Sequence, residues 1–441
     1  MKQSIRESST IRFVIPVICE NLLSNIVGLI FSHLIGGISA SSLTTISQCN
    51  NVINVINAMA TMLVTGTSIL CSRLLGADDR LEASHVVEQA AFLSAAAALT
   101  ITALCLIFSA PLMKLLMPNA EAAVLTEGIT FFRVLIVSLP FLMLYNVFTS
   151  TLRASGDSRS PLVIAVLMCG MQLLFAWLFL RVMNLDIIGA GLVYLFARVV
   201  GFSAAFFILL RSHDYMLSIR NMLKPNGMIF KRILKIGIPT SIESIFVQFG
   251  YLIAGSMVIG LGTFEAAVYN VANTLYSFAA LPQSICSTVA TPIVGHLIGA
   301  HDFKKARRSG WCIGIIGMAT TIMLCTLLVT FGSRLTPIYS SDVQIQQKAA
   351  KALWVVFVMC IPAISLNTFD PQLRVGGDVK YVMYVTIIAV WLIRLPLTYL
   401  FCYIWNMGAE GVFWANTLSL SFRMVFNLAR FIKGKYLYMR V

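Results

Sequence analysis

The sequence predicts an all-α membrane protein of about twelve transmembrane helices, built as two six-helix lobes in a parallel repeat. Three observations predict it: the apolar residues come in long runs, the basic residues collect on alternate loops, and the second half of the chain repeats the first. Of 441 residues, 58% are hydrophobic and 11% charged, where a soluble chain is about a quarter charged. Length alone allows two or three soluble domains, but the apolar runs exclude them.

A bilayer span takes about 20 mostly apolar residues. Windows of that kind fall at 13–36, 44–72, 86–110, 129–151, 161–182, 187–210, 233–259, 265–293, 311–332, 352–372, 381–405 and 411–432. They lack the alternation of barrel strands and are too long for them. The first is also too long for a cleavable signal peptide, and it carries Glu20.

The net charge of +14 raises nucleic acid as a partner, and the placement of the charges argues against it. With the N-terminus placed in the cytoplasm, the cytoplasmic segments hold 23 of the 32 Lys/Arg and the opposite side 5. This bias places both termini in the cytoplasm of a multi-pass cytoplasmic (inner) membrane protein. The ten cysteines lie in or at the ends of apolar windows, without a CxxC pair or a disulfide framework.

The repeat runs with a shift of 223 residues. Ile15-Pro16-x3-Glu20 returns as Ile238-Pro239-x3-Glu243, and Leu74-x-Gly76-Ala77-x-Asp79 as Leu297-x-Gly299-Ala300-x-Asp302. The shift is 221 where Leu152-Arg153-x-x-Gly156-Asp157 returns as Leu373-Arg374-x-x-Gly377-Asp378. Six spans per half give both halves one orientation, a plan that transporters use with the substrate path between the halves. The expected domains are a lobe of residues 1–212, a cytoplasmic linker of 213–231 and a lobe of 232–441. Gly76 and Gly299 are read as positive-φ helix caps. Arg153 with Asp157, and Arg374 with Asp378, are read as pairs that fix a short turn.

These paired GA-x-D and LR-x-x-GD signatures, with Trp391-x-x-Arg394-x-Pro396, resemble the multidrug and toxic compound extrusion (MATE) family. The Pro-x3-Glu opening of each half is similar to one branch of its bacterial members. The resemblance implies two six-helix lobes that alternate between inward- and outward-open states. It also implies export of amphipathic, often cationic, organic compounds against an inward proton or sodium gradient. Two positions depart from it: Phe31 stands where many members carry an aspartate, and Val247 where others carry a glutamate.

No P-loop, HExxH, GxSxG or clustered metal site is present, so the chain reads as a transporter rather than an enzyme. The coupling candidates are Glu20, Glu243 and Asp370, the acids well inside spans. Ionisable groups at membrane depth face a cavity or a partner, and are functional candidates by default. The alternative role for the glutamates is structural, bonding backbone freed by the preceding proline or pairing with an intramembrane arginine. Ser47, Asn50, Asn54, Asn57 and Thr61 recur at helical spacing, and Asn270, Asn273 and Ser277 repeat the stripe. Lipid-facing asparagines are unfavourable, so both stripes are expected to line the bundle or the substrate cavity. Tyr276, with Tyr269 and Phe278, is placed to offer a π face. Arg394 is a further candidate among the four intramembrane arginines Arg133, Arg198, Arg394 and Arg423.

The expected function is a proton- or sodium-coupled exporter of amphipathic, cationic organic compounds. No cofactor is expected beyond H+ or Na+ as coupling ion. The expected partners are small-molecule substrates and membrane lipids, without nucleic acid, for a monomeric protein. A lipid-linked precursor flippase of the same superfamily, and a non-transporting scaffold or receptor with a degenerate transporter fold, stay open as alternatives.

Overall fold

The computed structural model describes residues 7–36, 40–116, 122–340 and 342–438, and among them every regular element is helical. The first half runs through α1 (Glu7–Gly36), α2 (Ala40–Gly76), α3 (Arg80–Ile107) and α4, which is Ala122–Val137 and Leu139–Ala154 either side of Ser138. It continues with α5 (Arg159–Ala176, extended by the π-helical turn Trp177–Val182) and α6 (Asp186–Leu210). The second half runs through α7 (Gly227–Gly260), α8 (Thr263–Ala279 and Leu281–Gly299), α9 (Phe303–Thr330) and α10 (Val343–Gly376). It ends with α11 (Val379–Ile388, running on through π-helical turns at Ala389–Arg394 and Leu400–Ile404) and α12 (Ala409–Lys433).

Among the described residues, ten helices are long and apolar enough to cross a membrane, and α8 makes an eleventh although it bends by 42°. The bend falls beside Pro282, whose matched position in the straight α2 is Met59. Pro282 lacks the N–H that would continue the preceding segment, and α8 restarts there with the proline in its first turn. The twelfth window is α12, 25 residues long. Its Asn416, Arg423 and Asn427 lower its hydropathy below that of the others.

The chain divides into two compact units, Met1–Gly237 and Ile238–Val441. The division falls inside α7, two residues before Pro239. In the first unit, α2 packs on α3 and α4, α1 on α5, and α5 on α6. The opening turns of α7 belong here too: a Cβ on Gly66 would lie 2.7 Å from the Ile233 carbonyl oxygen, so that crossing needs glycine. In the second unit α10 is the axis, packed against α8, α9 and α12. In its apolar stretch 67% is buried, against 22% for α9. Small residues such as Ala272, Ala279 and Ala352 allow close approach around Val356, Met359 and Phe413.

The linker is bound to the first unit by the buried polar end of α3. Ser84 Oγ accepts from the Met216 N–H (2.8 Å), Glu88 Oε1 from Ser218 (2.7 Å) and Gln89 Oε1 from Asn226 (2.8 Å). Glu88 is fully buried, a further acid beyond the three read as intramembrane.

Both repeated loop motifs form the same turns twice. After α4 and α10, Gly156 (φ 89°) and Gly377 (φ 105°) reverse the chain. Asp157 N donates to the Leu152 oxygen at 3.1 Å and Asp378 N to the Leu373 oxygen at 2.9 Å, the six-to-one bond of a Schellman cap. After α2 and α8 the cap is displaced from its expected place. Gly76 and Gly299 are the last helical residues, and the positive φ falls two positions on, at Asp78 (63°) and His301 (57°). Asp and His tolerate that region better than most residues. Asp79 and Asp302 then cap the next helices through the N–H groups of Glu82 and Lys305.

Candidate functional site

The sequence places an arginine and an aspartate four residues apart in each LR-x-x-GD turn, and the structure sends them to different partners. Helical side chains lean back toward the N-terminus of their helix, so Arg153 and Arg374 turn into their units. The aspartates lie beyond the chain reversal, Asp157 at the start of the next helix and Asp378 against α12. Asp157 accepts from the N–H groups of Arg159 (2.9 Å) and Ser160 (3.0 Å), and Asp378 is held by Arg430 at 2.8 and 2.9 Å. The expected Arg–Asp pairs are therefore replaced by Arg–Glu pairs.

In the second unit, Arg374 Nη2 donates to both carboxylate oxygens of Glu243 at 2.9 Å. Thr386 Oγ1 on α11 donates to the same group at 2.9 Å. Arg423 on α12 lies 3.6 Å from Glu243 and 2.8 Å from Asp370, and Asn427 donates to Asp370 at 2.6 Å. Two carboxylates thus face two guanidiniums where α7, α10, α11 and α12 meet. Glu243 and Asp370 are 4% and 5% exposed, which excludes bulk water as their main partner. Arg374 Nε, Arg423 Nε and Asn427 Oδ1 are buried without a hydrogen bond. In the first unit, among the described residues, one pair stands here, Arg153 Nη2 to Glu20 Oε1 at 2.7 Å, with Glu20 Oε2 unpartnered.

A second constellation lies toward the other end of the second unit. Tyr251, Tyr269, Asn273, Tyr276, Arg394 and Asn416, with Met359, Val412 and Phe413, line a cavity of about 20 Å³, room for one water-sized occupant. The Arg394 guanidinium stacks 4.0 Å from the Tyr251 ring centre, and Tyr269 stacks on Phe413 at 5.4 Å. Arg394 closes the π-helical turn Ala389–Arg394. The extra residue of a π turn rotates the later side chains by about 100° relative to a regular helix, and here it delivers an arginine to the interior.

These duplicated elements fit one family. The sequence profile of the MatE family matches residues 16–178 and 239–400. The chain belongs to the MatE family. Among curated relatives it is similar to the "Probable multidrug resistance protein NorM" of Thermotoga maritima, 22% identical over 436 residues, covering 97% of this chain and 92% of that one. It is also similar to the "Multidrug export protein MepA" of Staphylococcus aureus, 24% identical over 414 residues, covering 93% and 90%. Among solved structures it resembles the outward-facing conformation of a multidrug resistance MATE family transporter of the MOP superfamily. The TM-score is 0.86 at 20% identity, over 98% of this chain and 96% of that one. The chain is a multi-pass membrane protein with the MatE fold.

Within this MatE chain the sequence-predicted residues separate into groups. Glu243 joins Asp370; Asn273, Tyr276 and Arg394 share the cavity; Glu20 stands with Arg153 alone. Asn270 and Ser277 lie on an exposed face of α8 with Asn273. On α2, Asn50 lies beside Tyr194, Asn54 is exposed and Asn57 is half-buried with its Oδ1 unpartnered; the side chain of Ser47 lies outside the described residues. Phe31 is buried edge-on against Tyr194 at 5.1 Å, so an aromatic contact occupies the place where the resemblance implies an aspartate. Val247 is half-buried on α7. Sequence reasoning missed Thr386, Asn427, Tyr251 and Asn416. Asn416, Arg423 and Asn427 are spaced by seven and four on α12, a polar helical face that the sequence does display.

Proposed function

We propose that this chain is a gradient-driven exporter of amphipathic organic compounds, with the Glu243–Asp370–Arg374–Arg423 cluster as its coupling centre. The names of the relatives support multidrug export. The single observation that supports the assignment of the centre is the burial of two carboxylates and two guanidiniums at a junction of four helices. A proton on Glu243 cancels the charge that holds Arg374 and leaves two guanidiniums against Asp370 alone. Uncompensated buried charge is costly, so protonation favours a rearrangement of α10 and α12. Sodium would act at the same oxygens by displacing the guanidiniums. Glu20, with one arginine and, among the described residues, no second acid paired beside it, takes a lesser part.

The expected cationic preference has no carboxylate to rest on at the Arg394 cavity. The charge bias supports a cytoplasmic-membrane location with both termini inside. Cysteine at Ser218 is then labelled from the cytoplasm, and cysteine at Ser341, which lies outside the described residues, from the opposite side; labelling of both from one side breaks the topology.

The coupling test is efflux from proteoliposomes under imposed pH or sodium gradients. Glu243→Gln is expected to lose gradient-driven transport by at least tenfold while retaining substrate binding, and Glu20→Gln to lose less. Wild-type transport by Glu243→Gln and by the double variant overturns the assignment.

A further inference from the structure

Arg394 is 3% exposed and takes no part in the proposed coupling cluster. Its Nε has no hydrogen-bond partner, and among the described residues its guanidinium meets no carboxylate. Arg423 and Arg374 of the same unit are both ion-paired. The stack on Tyr251 at 4.0 Å is the favourable contact in view. One cation–π contact does not offset the lost hydration of a buried guanidinium. The other polar groups around the cavity can all donate: the hydroxyls of Tyr251, Tyr269 and Tyr276, and the amides of Asn273 and Asn416. Asn416 Nδ2 points at Met359 Sδ, 3.0 Å away, a weak acceptor that a stronger one would displace. Asn273 belongs both to the cavity and to the exposed face of α8, which supplies a way in.

We propose that this cavity binds a monovalent anionic group, a free halide or the carboxylate of an amphipathic acid, against Arg394 as counter-charge. About 20 Å³ admits one halide or one carboxylate oxygen. The second source would make the exported compounds acids rather than the cations expected from the family resemblance. That statement about cargo rests on the export reading; the binding itself does not, and it is measured without transport.

The experiment is a thermal-unfolding titration of the purified full-length protein at constant ionic strength, replacing sodium methanesulfonate by sodium chloride or sodium formate. Saturable stabilisation by chloride, at least tenfold weaker in apparent affinity in Arg394→Gln and partly restored in Arg394→Lys, supports the site. Chloride without formate identifies a halide site; formate as well identifies a carboxylate site, which pyrenebutyrate, but not its methyl ester, should then occupy. Should Arg394→Gln fail to fold, Asn273→Ala and Asn416→Ala keep the charge and should each weaken binding at least threefold. No saturable response in wild type, or responses unchanged in the variants, overturns the proposal, and leaves the coupling assignment at Glu243 standing.

Discussion

The first unit ties α1 to α4 with one ion pair, Glu20–Arg153, whereas the second binds α7, α10, α11 and α12 around Glu243 and Asp370. Where α4 and α6 of the first unit meet, Phe148, Phe202 and Phe206 stack with ring centres 5.8–6.0 Å apart. The corresponding helices of the second unit, α10 and α12, meet through Asp370, Arg423 and Asn427. Yet the turns after α4 and α10 are the same, down to the positive-φ glycine and the six-to-one bond. The two units therefore share a backbone frame and one Glu–Arg tie, and the further acid and arginine stand in the second alone among the described residues. The arginine–glutamate tie belongs to the frame; Asp370 and Arg423 belong to the specialisation.

The sharpest way to break this distinction is to remove the cation that serves both acids. Arg423→Met leaves Glu243 and Asp370 with Arg374 as the nearest counter-charge. Breaking a buried pair by removing one partner costs about 3–5 kcal/mol, and that loss is expected here. Arg153→Met breaks a buried pair too, but it touches one acid where Arg423 touches two, so its loss is expected toward the lower end of that range. Thermal unfolding followed by tryptophan fluorescence separates the two. Trp311, Trp354, Trp391, Trp405 and Trp414 report on the second unit and Trp177 on the first. Equal destabilisation by the two variants would dissolve the contrast.

How much of this was legible in the sequence depends on whether the signal was local. Hydrophobic runs and the repeat offset are local and regular, so they give the fold class and the paired motifs. The bend in α8 was not legible, since Pro292 and Pro371 also lack counterparts and lie inside unbroken helices. The partners of Glu20 and Glu243 were not, since chain proximity suggested Asp157 and Asp378 for the two arginines. A chain reversal at a left-handed glycine separates neighbours in sequence, and only the direction of helical side chains shows which way each goes. The π-helical turn that brings Arg394 inward leaves no trace in composition. The matched stretch of α5, ending near Leu173, is ordinary α-helix. Asn416 and Asn427 were readable from their spacing to Arg423, but an arginine in a span reads equally well as an anchor between helices.

A middle-sized effect tests whether the frame is shared. Gly156 and Gly377 both hold φ values closed to alanine. Substitution by alanine is expected to cost about 1–2 kcal/mol at either site, and by asparagine less, since asparagine visits positive φ more readily. A Cβ at Gly156 meets nothing within 4 Å, so its cost is backbone strain alone. Matching losses in unfolding temperature are expected for Gly156→Ala and Gly377→Ala. A loss confined to one half would show that the two turns carry different loads.

The smallest effect comes from the caps of α3 and α9. Asp79 and Asp302 each accept from the N–H three residues on, at 3.0 and 3.2 Å, and loss of the cap at Asp79 is expected to cost about 1 kcal/mol. The two sites differ in one respect. Lys305 pairs with Asp302 at 2.7 Å as well as donating its backbone N–H, whereas the matched position after Asp79 is Glu82, which pairs with Arg232. The side chain and the N–H of Lys305 hold the Asp302 carboxyl below the ordinary aspartate value of 3.8. A group whose folded value is depressed stabilises fully above its unfolded value and loses that contribution as pH falls through the folded one. Asp302→Asn should therefore unfold earlier than wild type at neutral pH, and the gap should close as pH falls below about 3.8. Because Lys305 is solvent-exposed in that interaction, raising salt should narrow the gap as well. A pH-independent gap would mean that Asp302 acts through its cap geometry alone, and that the lysine adds nothing to this half that the other lacks.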